Sequence, residues 1–412
     1  MLKAPLARLA RRAILAGATA AVLALSLGAA SAQIAPPRTL DELKAETQAR
    51  ADRNAYPLTG FKPDDVRTAL GHITSLDRDE WAKAWGDVAA PYMERARAAE
   101  AAGTIKQAQE DYLMAWRLYS FARWPTPNSP GKQRAYELSL DAFAHYASHL
   151  DPAPTVVRIP FEGKEIVGWL RLPKGAQSGA NAAPLVLTIS ALDSRKEDNV
   201  ERGEAFIHRG IATFSFDMPG TGQAPLKGDV DSERMFSRVL DYVATRPELD
   251  AKRVVVQGGS WSGYWAAKLG IVERARLKAV VVQGGPIHNY FQPEWQSKAL
   301  GTREYLFDLF PARASVYGAG SLEEFLAYGP KMSLKAQGLL DRPSAPMLLV
   351  NGNKDSQVPI ADLDLMLHSG TPKEAWVNPD GGHMGRSTEW PDGKIFAKIV
   401  APWIVRQLGL GE

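Results

Sequence analysis

The 412-residue sequence predicts an α/β fold: an eight-stranded, mostly parallel sheet with helices on both faces, preceded by a helical domain. Two observations carry this. After Pro152, short runs of β-branched and aromatic residues alternate with amphipathic helical patterns. Before it, aromatic and alanine residues recur at three- and four-residue spacing.

In chain order, Trp81, Trp85, Ala89, Tyr92 and Met93 mark one helix. Tyr112, Ala115, Trp116, Tyr119 and Ala122 mark a second, and Ala135, Leu138, Leu140, Phe143 and Tyr146 a third. The breakers AAGT at 101–104 and PTPNSPG at 125–131 separate them. Eight strand runs follow, at 155–161, 166–172, 185–189, 212–216, 253–257, 279–283, 347–350 and 375–377. The later ones are short and apolar, as strands buried on both faces are. Glu162-Gly163-Lys164 joins the first two tightly and predicts an antiparallel hairpin at the sheet edge. Helical patterns at 199–208, 232–244, 262–272 and 359–368 lie between the runs. An aromatic-rich insertion of about sixty residues, 286–345, interrupts the alternation before the seventh strand.

The ends and the composition narrow the setting. Lys3, Arg8, Arg11 and Arg12 precede an uncharged apolar run that closes on Ala30-Ser31-Ala32. That is the layout of a secretory signal with a small-residue cleavage site, so residues 1–32 are expected to be removed rather than kept as a membrane anchor. The mature chain is then periplasmic or secreted, and Arg11-Arg12-Ala13-Ile14-Leu15 partly resembles a twin-arginine signal. The absence of cysteine excludes disulfides, zinc-thiolate sites and a thiol nucleophile. The whole chain has 49 basic and 46 acidic residues, but four basic ones fall in 1–32, so the remainder is close to neutral. It calls for no nucleic-acid partner and no anionic membrane surface, and leaves a homodimer open.

The stretch 254–265, VVVQGGSWSGYW, offers two serines at the junction of a strand and a helix. In a nucleophile elbow the serine occupies a strained apex, and residues two before and two after it press against neighbouring backbone. Ser262 as nucleophile would put Tyr264 at the later crowded position. Ser260 puts Gly258 and Ser262 there, which fits. A serine hydroxyl needs a histidine to take its proton and a carboxylate to hold that histidine. Asp355 follows the seventh run, and His383 stands on a glycine-rich loop after the eighth. His368 belongs to a helical pattern. The backbone N–H of Trp261 and that of Ala191 or Leu192, after the third run, are the oxyanion-hole candidates.

Other residues have weaker claims. His288 and Tyr290 follow the sixth strand, Tyr264 follows the elbow, and all three are candidate substrate contacts. Trp81, Trp85, Trp116, Tyr119 and Trp124 read as helix-packing core before they read as a pocket. The turn 217–222, DMPGTG, reads as structural. Asp141, His145 and His149 share a helix face but lack an H-E-x-x-H or a second ligand cluster, so no metal and no organic cofactor is expected.

Taken together, the helical segment 112–122, GWLRLP at 168–173, LDSRKE at 192–197, DMPGTG, the elbow and the Asp355 and His383 loops resemble the α/β-hydrolase superfamily. The resemblance runs over about 80–412. It is to the branch with an N-terminal helical domain, which includes FrsA-like esterases and the 2,6-dihydroxypseudooxynicotine hydrolase. It implies a helical cap at 33–150 and a catalytic domain at 151–412, with Ser260, Asp355 and His383 as triad. Members cleave esters or carbon–carbon bonds of aryl ketones through serine attack on a carbonyl. Two positions depart from the pattern: Ser262 replaces a glycine, and Ser190-Ala191 stands where relatives often carry two glycines.

The expected function is therefore that of an exported serine hydrolase acting on a carboxylic ester, with a small apolar or aromatic substrate. Hydrolysis of an aryl ketone, or of an amide or peptide, are the alternatives. A different class, an exported helical-repeat-like scaffold with an inactive hydrolase domain, is suggested by the helix pair near 101–122; the lack of a sequence period argues against it.

Overall fold

The computed structural model describes residues 38–411. The expected signal segment, 1–32, lies outside the described residues.

Among the described residues five helices come first: α1 (Leu40–Asp52), α2 (Pro63–Gly71), α3 (Arg78–Ala101), α4 (Ile105–Ala122) and α5 (Pro130–Ser148). Local chemistry sets their ends. Thr39 and Glu42 form a reciprocal capping box on α1, Asp77 caps α3, and Ser129 followed by Pro130 opens α5. The breakers at 101–104 and 125–131 overlap the two gaps, 102–104 and 123–129, between α3, α4 and α5. The aromatic stripes are core: Trp81, Trp85, Trp116, Tyr119 and Trp124 are all buried.

The eight expected strands all form: β1 (Thr155–Phe161), β2 (Lys164–Arg171), β3 (Ala183–Ile189), β4 (Ala212–Phe216), β5 (Leu249–Gly259), β6 (Ala279–Gln283), β7 (Met347–Gly352) and β8 (Glu374–Asn378). They make one sheet in the order β1-β2-β4-β3-β5-β6-β7-β8. β1 and β2 form the antiparallel edge hairpin, β2 runs antiparallel to β4, and every later pairing is parallel.

Alternation along the strands loads two cores. Leu185, Leu187, Val254, Val256, Val280 and Leu349 face one core; Val186, Val255, Val281, Leu348 and Val350 face the other. The first core is covered by α8 (Arg234–Ala244), α9 (Trp261–Val272) and α13 (Ile360–Leu367). The second is covered by α7 (Glu204–Ile207), α14 (Asp392–Ile395) and α15 (Ala401–Gln407), while α6 (Lys196–Arg202) precedes α7. The insertion carries α10 (Pro293–Leu300), α11 (Leu309–Tyr317) and α12 (Leu322–Tyr328), helices that the aromatic-rich sequence did not signal.

The helical segment is welded to the sheet and to the insertion. Trp169 of β2, Val200 of α6 and Leu306 join its core. Trp124 stacks on Tyr305 at 4.8 Å, and Trp81 meets Phe307 edge-on at 4.6 Å. Arg78 makes a two-point ion pair with Asp308, at 2.8 and 3.1 Å.

Candidate active site

β5 ends at Gly259, and α9 begins at Trp261, so Ser260 alone makes the turn. It does so at φ 55°, ψ −130°, a conformation that a side chain seldom adopts and that costs of order 1–3 kcal/mol. Strain held at an apex is a mark of function. Crowding around the apex explains the small neighbours: a Cβ on Gly258 would sit 2.2 Å from the Ser262 carbonyl oxygen, and one on Gly263 would sit 2.6 Å from Gly285.

Ser262, the departure from glycine, is wholly buried and bound. Its Oγ accepts the Gly259 N–H at 3.0 Å and lies 2.9 Å from the Ile189 carbonyl and 2.8 Å from the Gly259 carbonyl. The hydroxyl stitches the turn to the end of β3 and is unavailable for attack.

The three residues picked from the sequence converge. His383 Nε2 lies 2.7 Å from Ser260 Oγ, and His383 Nδ1 lies 2.8 Å from Asp355 Oδ2. A carboxylate can only accept, so Nδ1 carries the proton and Nε2 is left to accept from Ser260. Asp355 Oδ1 in turn accepts the N–H groups of Gln357 and Val358, at 2.7 and 2.9 Å. Burial pushes the Asp355 carboxyl up, but the charge and hydrogen bond of His383 and the two backbone donors outweigh it, and its pKa is lowered.

Several residues hold this geometry without declaring themselves in the sequence. Asn351 Oδ1 accepts the Met384 N–H at 3.0 Å, and Gln283 donates to the Met384 carbonyl at 3.0 Å. Asn378 Nδ2 donates to the Gly385 carbonyl at 2.8 Å. On the other side, the loop after β3 is pinned to the DMPGTG turn. Asp217 Oδ1 accepts from Ser190 Oγ at 3.1 Å and from the Lys196 N–H at 2.9 Å, while Lys196 Nζ lies 3.2 Å from Oδ2. Burial pushes the Asp217 carboxyl up, and the Lys196 ammonium outweighs it, so the group is held ionised. That turn is structural, as expected.

The oxyanion candidates separate. Trp261 is the first residue of α9, so its N–H has no intrahelical acceptor and points from a helix N-terminus. The Ala191 N–H is already given to Ser194 Oγ at 2.8 Å, which removes Ala191 as a donor and leaves Leu192. The substrate-contact expectations fare unevenly. The His288 ring is engaged by Ser333 Oγ at 2.7 Å, and the backbone N–H groups of Ile287, His288, Asn289 and Tyr290 wrap the Asp362 carboxylate; His288 is a loop anchor. Tyr264 is wholly buried, its hydroxyl accepting from Gln337 at 3.1 Å, because the helix turns that position into the core. Tyr290 is buried with its phenol near Trp261 and Asp355. His368 is exposed at the end of α13, outside the site.

With an eight-stranded sheet of this order and a serine on its elbow, one comparison decides the family. A model of FrsA-like esterases matches residues 66–376. The chain belongs to that family. It is similar to esterase FrsA of Photobacterium profundum, 27% identical over 341 residues, 79% of each chain. It also resembles the 20-hydroxy-prefusarin hydrolase FUS2 of Gibberella moniliformis, 32% identical over 244 residues. That match covers 56% of this chain and 58% of the fungal protein, so the chain spans little more than half of that relative's length. Among solved structures, the 2,6-dihydroxy-pseudo-oxynicotine hydrolase superposes with a TM-score of 0.71 at 21% identity, over 87% of this chain and 95% of that one. AbyA5 superposes with a TM-score of 0.68 at 20% identity, over 91% and 96%. These likenesses establish the α/β-hydrolase fold with its N-terminal helical region. As an FrsA-like family member, the protein is a hydrolase.

Proposed function

We propose that this FrsA-like hydrolase is an exported serine esterase that cleaves a small carboxylic ester through an acyl-enzyme. The observation that carries the reading is the continuous hydrogen-bonded chain Ser260–His383–Asp355 hung from a strained elbow. Ser260 Oγ attacks the ester carbonyl carbon as its proton passes to His383 Nε2. Asp355, already bonded to Nδ1, stabilises the imidazolium that results. The N–H groups of Trp261 and Leu192 receive the oxyanion. The tetrahedral adduct collapses, the C–O bond to the alcohol breaks, and the alcohol leaves with the proton from Nε2. Water then attacks the acyl-serine by the same steps and frees the acid and Ser260. The basic-then-apolar N-terminal sequence supports export to the periplasm or beyond.

A hydrolysis screen tests the substrate class, using p-nitrophenyl and alkyl esters of graded acyl length, matched amides and aryl ketones. Turnover of esters that disappears in Ser260→Ala is the expected result. Turnover confined to ketones or amides would overturn the ester reading while leaving the serine mechanism intact. Failure of a fluorophosphonate to label Ser260 would overturn the mechanism itself.

A further inference from the structure

We propose that Arg313 is a positioning residue for Asp355, so that the insertion supplies part of the acid side of the site. This rests on the assignment of Ser260, His383 and Asp355 given above.

Arg313 stands on α11 and is only 2% exposed. No ion pair joins it to a carboxylate among the described residues. Its guanidinium is enclosed by neutral groups: Nη2 donates to Gln357 Oε1 at 2.8 Å, Nη1 to Gln296 Oε1 at 3.2 Å, and the Tyr290 ring lies 5.1 Å from its centre. Nε is buried without a partner. A guanidinium buried without a counter-ion is costly, and an apolar side chain of the same length would avoid that cost.

What the arginine holds explains its place. The Gln357 N–H is one of the two that orient Asp355, at 2.7 Å. Gln357 is fixed from the insertion at three points: Arg313, Thr302 Oγ1 at 2.7 Å, and Trp295, whose Nε1 donates to the Gln357 carbonyl at 3.1 Å. The insertion thus sets the residue that sets the carboxylate.

The measurement is the rate at which a fluorophosphonate labels Ser260, taken with Asp355 in place and in an Asp355→Asn background. In that step the Oγ–P bond forms, fluoride leaves and the proton goes to His383, so no knowledge of the natural ester is needed. Arg313→Met and Arg313→Gln should lower the rate about tenfold with Asp355 in place, as a loosened Asp355 loop would. In the Asp355→Asn background the same substitutions should change the residual rate by less than about twofold, because the carboxylate they act through is gone. Arg313→Lys keeps the charge but not the fork, so it should also slow labelling with Asp355 in place. A folded Met or Gln variant labelled at the wild-type rate, or slowed equally in both backgrounds, overturns the proposal. Should both fail to fold, Arg313→Lys decides: an undiminished rate overturns it, and a rate lowered only with Asp355 in place supports it. Wild-type protein that does not label at Ser260 would instead refute the serine assignment.

Discussion

Ser262 sits where relatives of this superfamily carry glycine, so restoring the glycine looks harmless; the structure says the reverse. The Ser262 hydroxyl accepts the Gly259 N–H at 3.0 Å and reaches the Ile189 carbonyl at 2.9 Å, in a site with no solvent exposure. Ser262→Ala deletes both links. A neutral hydrogen bond is worth about 1 kcal/mol net, and a buried donor left without a partner costs about 1–3 kcal/mol, so the loss is about 2–4 kcal/mol. Ser262→Gly adds about 0.5–1 kcal/mol, because a glycine within α9 frees backbone in the unfolded chain. Stability should therefore fall in the order wild type, Ser262→Ala, Ser262→Gly. Urea unfolding followed by tryptophan fluorescence measures it. Both variants should still be labelled by a fluorophosphonate, since Ser260 keeps its hydroxyl. A glycine variant as stable as wild type would refute the claim that the hydroxyl anchors the elbow, and loss of labelling in a folded alanine variant would reopen the choice between the serines.

Two further outcomes follow from the same geometry. Asp355→Asn should keep the fold but cut turnover and labelling by about 10⁴-fold, because the amide no longer selects the tautomer with its proton on Nδ1; activity within about tenfold of wild type would mean that another carboxylate holds His383. Lys132 has no side-chain exposure, and burial lowers its pKa from 10.5 to about 8, the repulsion of Arg78 adding to burial and Asp308 opposing it. Between those values the unfolded chain holds a proton that the fold does not, so this group's contribution to stability rises with pH, by at most about 1.4 kcal/mol per unit. The stability of wild type relative to Lys132→Met should climb between about pH 8 and 10 in urea titrations, and a flat difference refutes it.

The sequence revealed most where one local rule governs one residue. The inner strands were visible because buried parallel strands are continuous apolar runs, the edge pair β1 and β2 because Glu162-Gly163-Lys164 joins two β-type runs tightly, and Ser260 was separable from Ser262 because Tyr264 cannot occupy a crowded position. Asp355 and His383 were visible because chain order and loop position restrict the choice. Legibility stopped where a role depends on packing between distant segments. Nothing near Arg313 in the sequence announces that it will meet Gln357, and the Ala191 N–H looked free until Ser194 folded back on it. The surroundings of Tyr264 and His288 were hidden for the same reason. Proximity in sequence to the elbow or to a strand end does not say which way a side chain turns, and burial and Ser333 respectively had already claimed them. The helices of the insertion were hidden because its aromatics serve several partners at once and so show no single period.

The reach of His383 is a further matter of geometry, and it yields the last prediction. Ser260 follows β5 and His383 follows β8, three strands along the sheet. At about 4.8 Å per strand the imidazole must return across roughly 14 Å. The loop does this by folding back over the end of β7, so close that a Cβ on Gly352 would lie 2.2 Å from the carbonyl oxygens of Gly381 and Gly382. The Lys354 N–H ties the Gly381 carbonyl at 2.8 Å, and Met384, at φ 63°, turns the chain down against Gly259 and Gly284. A methyl group at residue 352 leaves the loop no route but outward, carrying the imidazole away from Oγ. Gly352→Ala should thus cost labelling about 10²-fold or more, the usual penalty for misplacing a catalytic group by about 1 Å. Its stability should fall by only about 1–3 kcal/mol, as for other overpacked sites. Thermal unfolding and labelling rates on the same sample separate the two effects. A folded Gly352→Ala protein that labels at the wild-type rate would mean that the histidine has another way across the sheet.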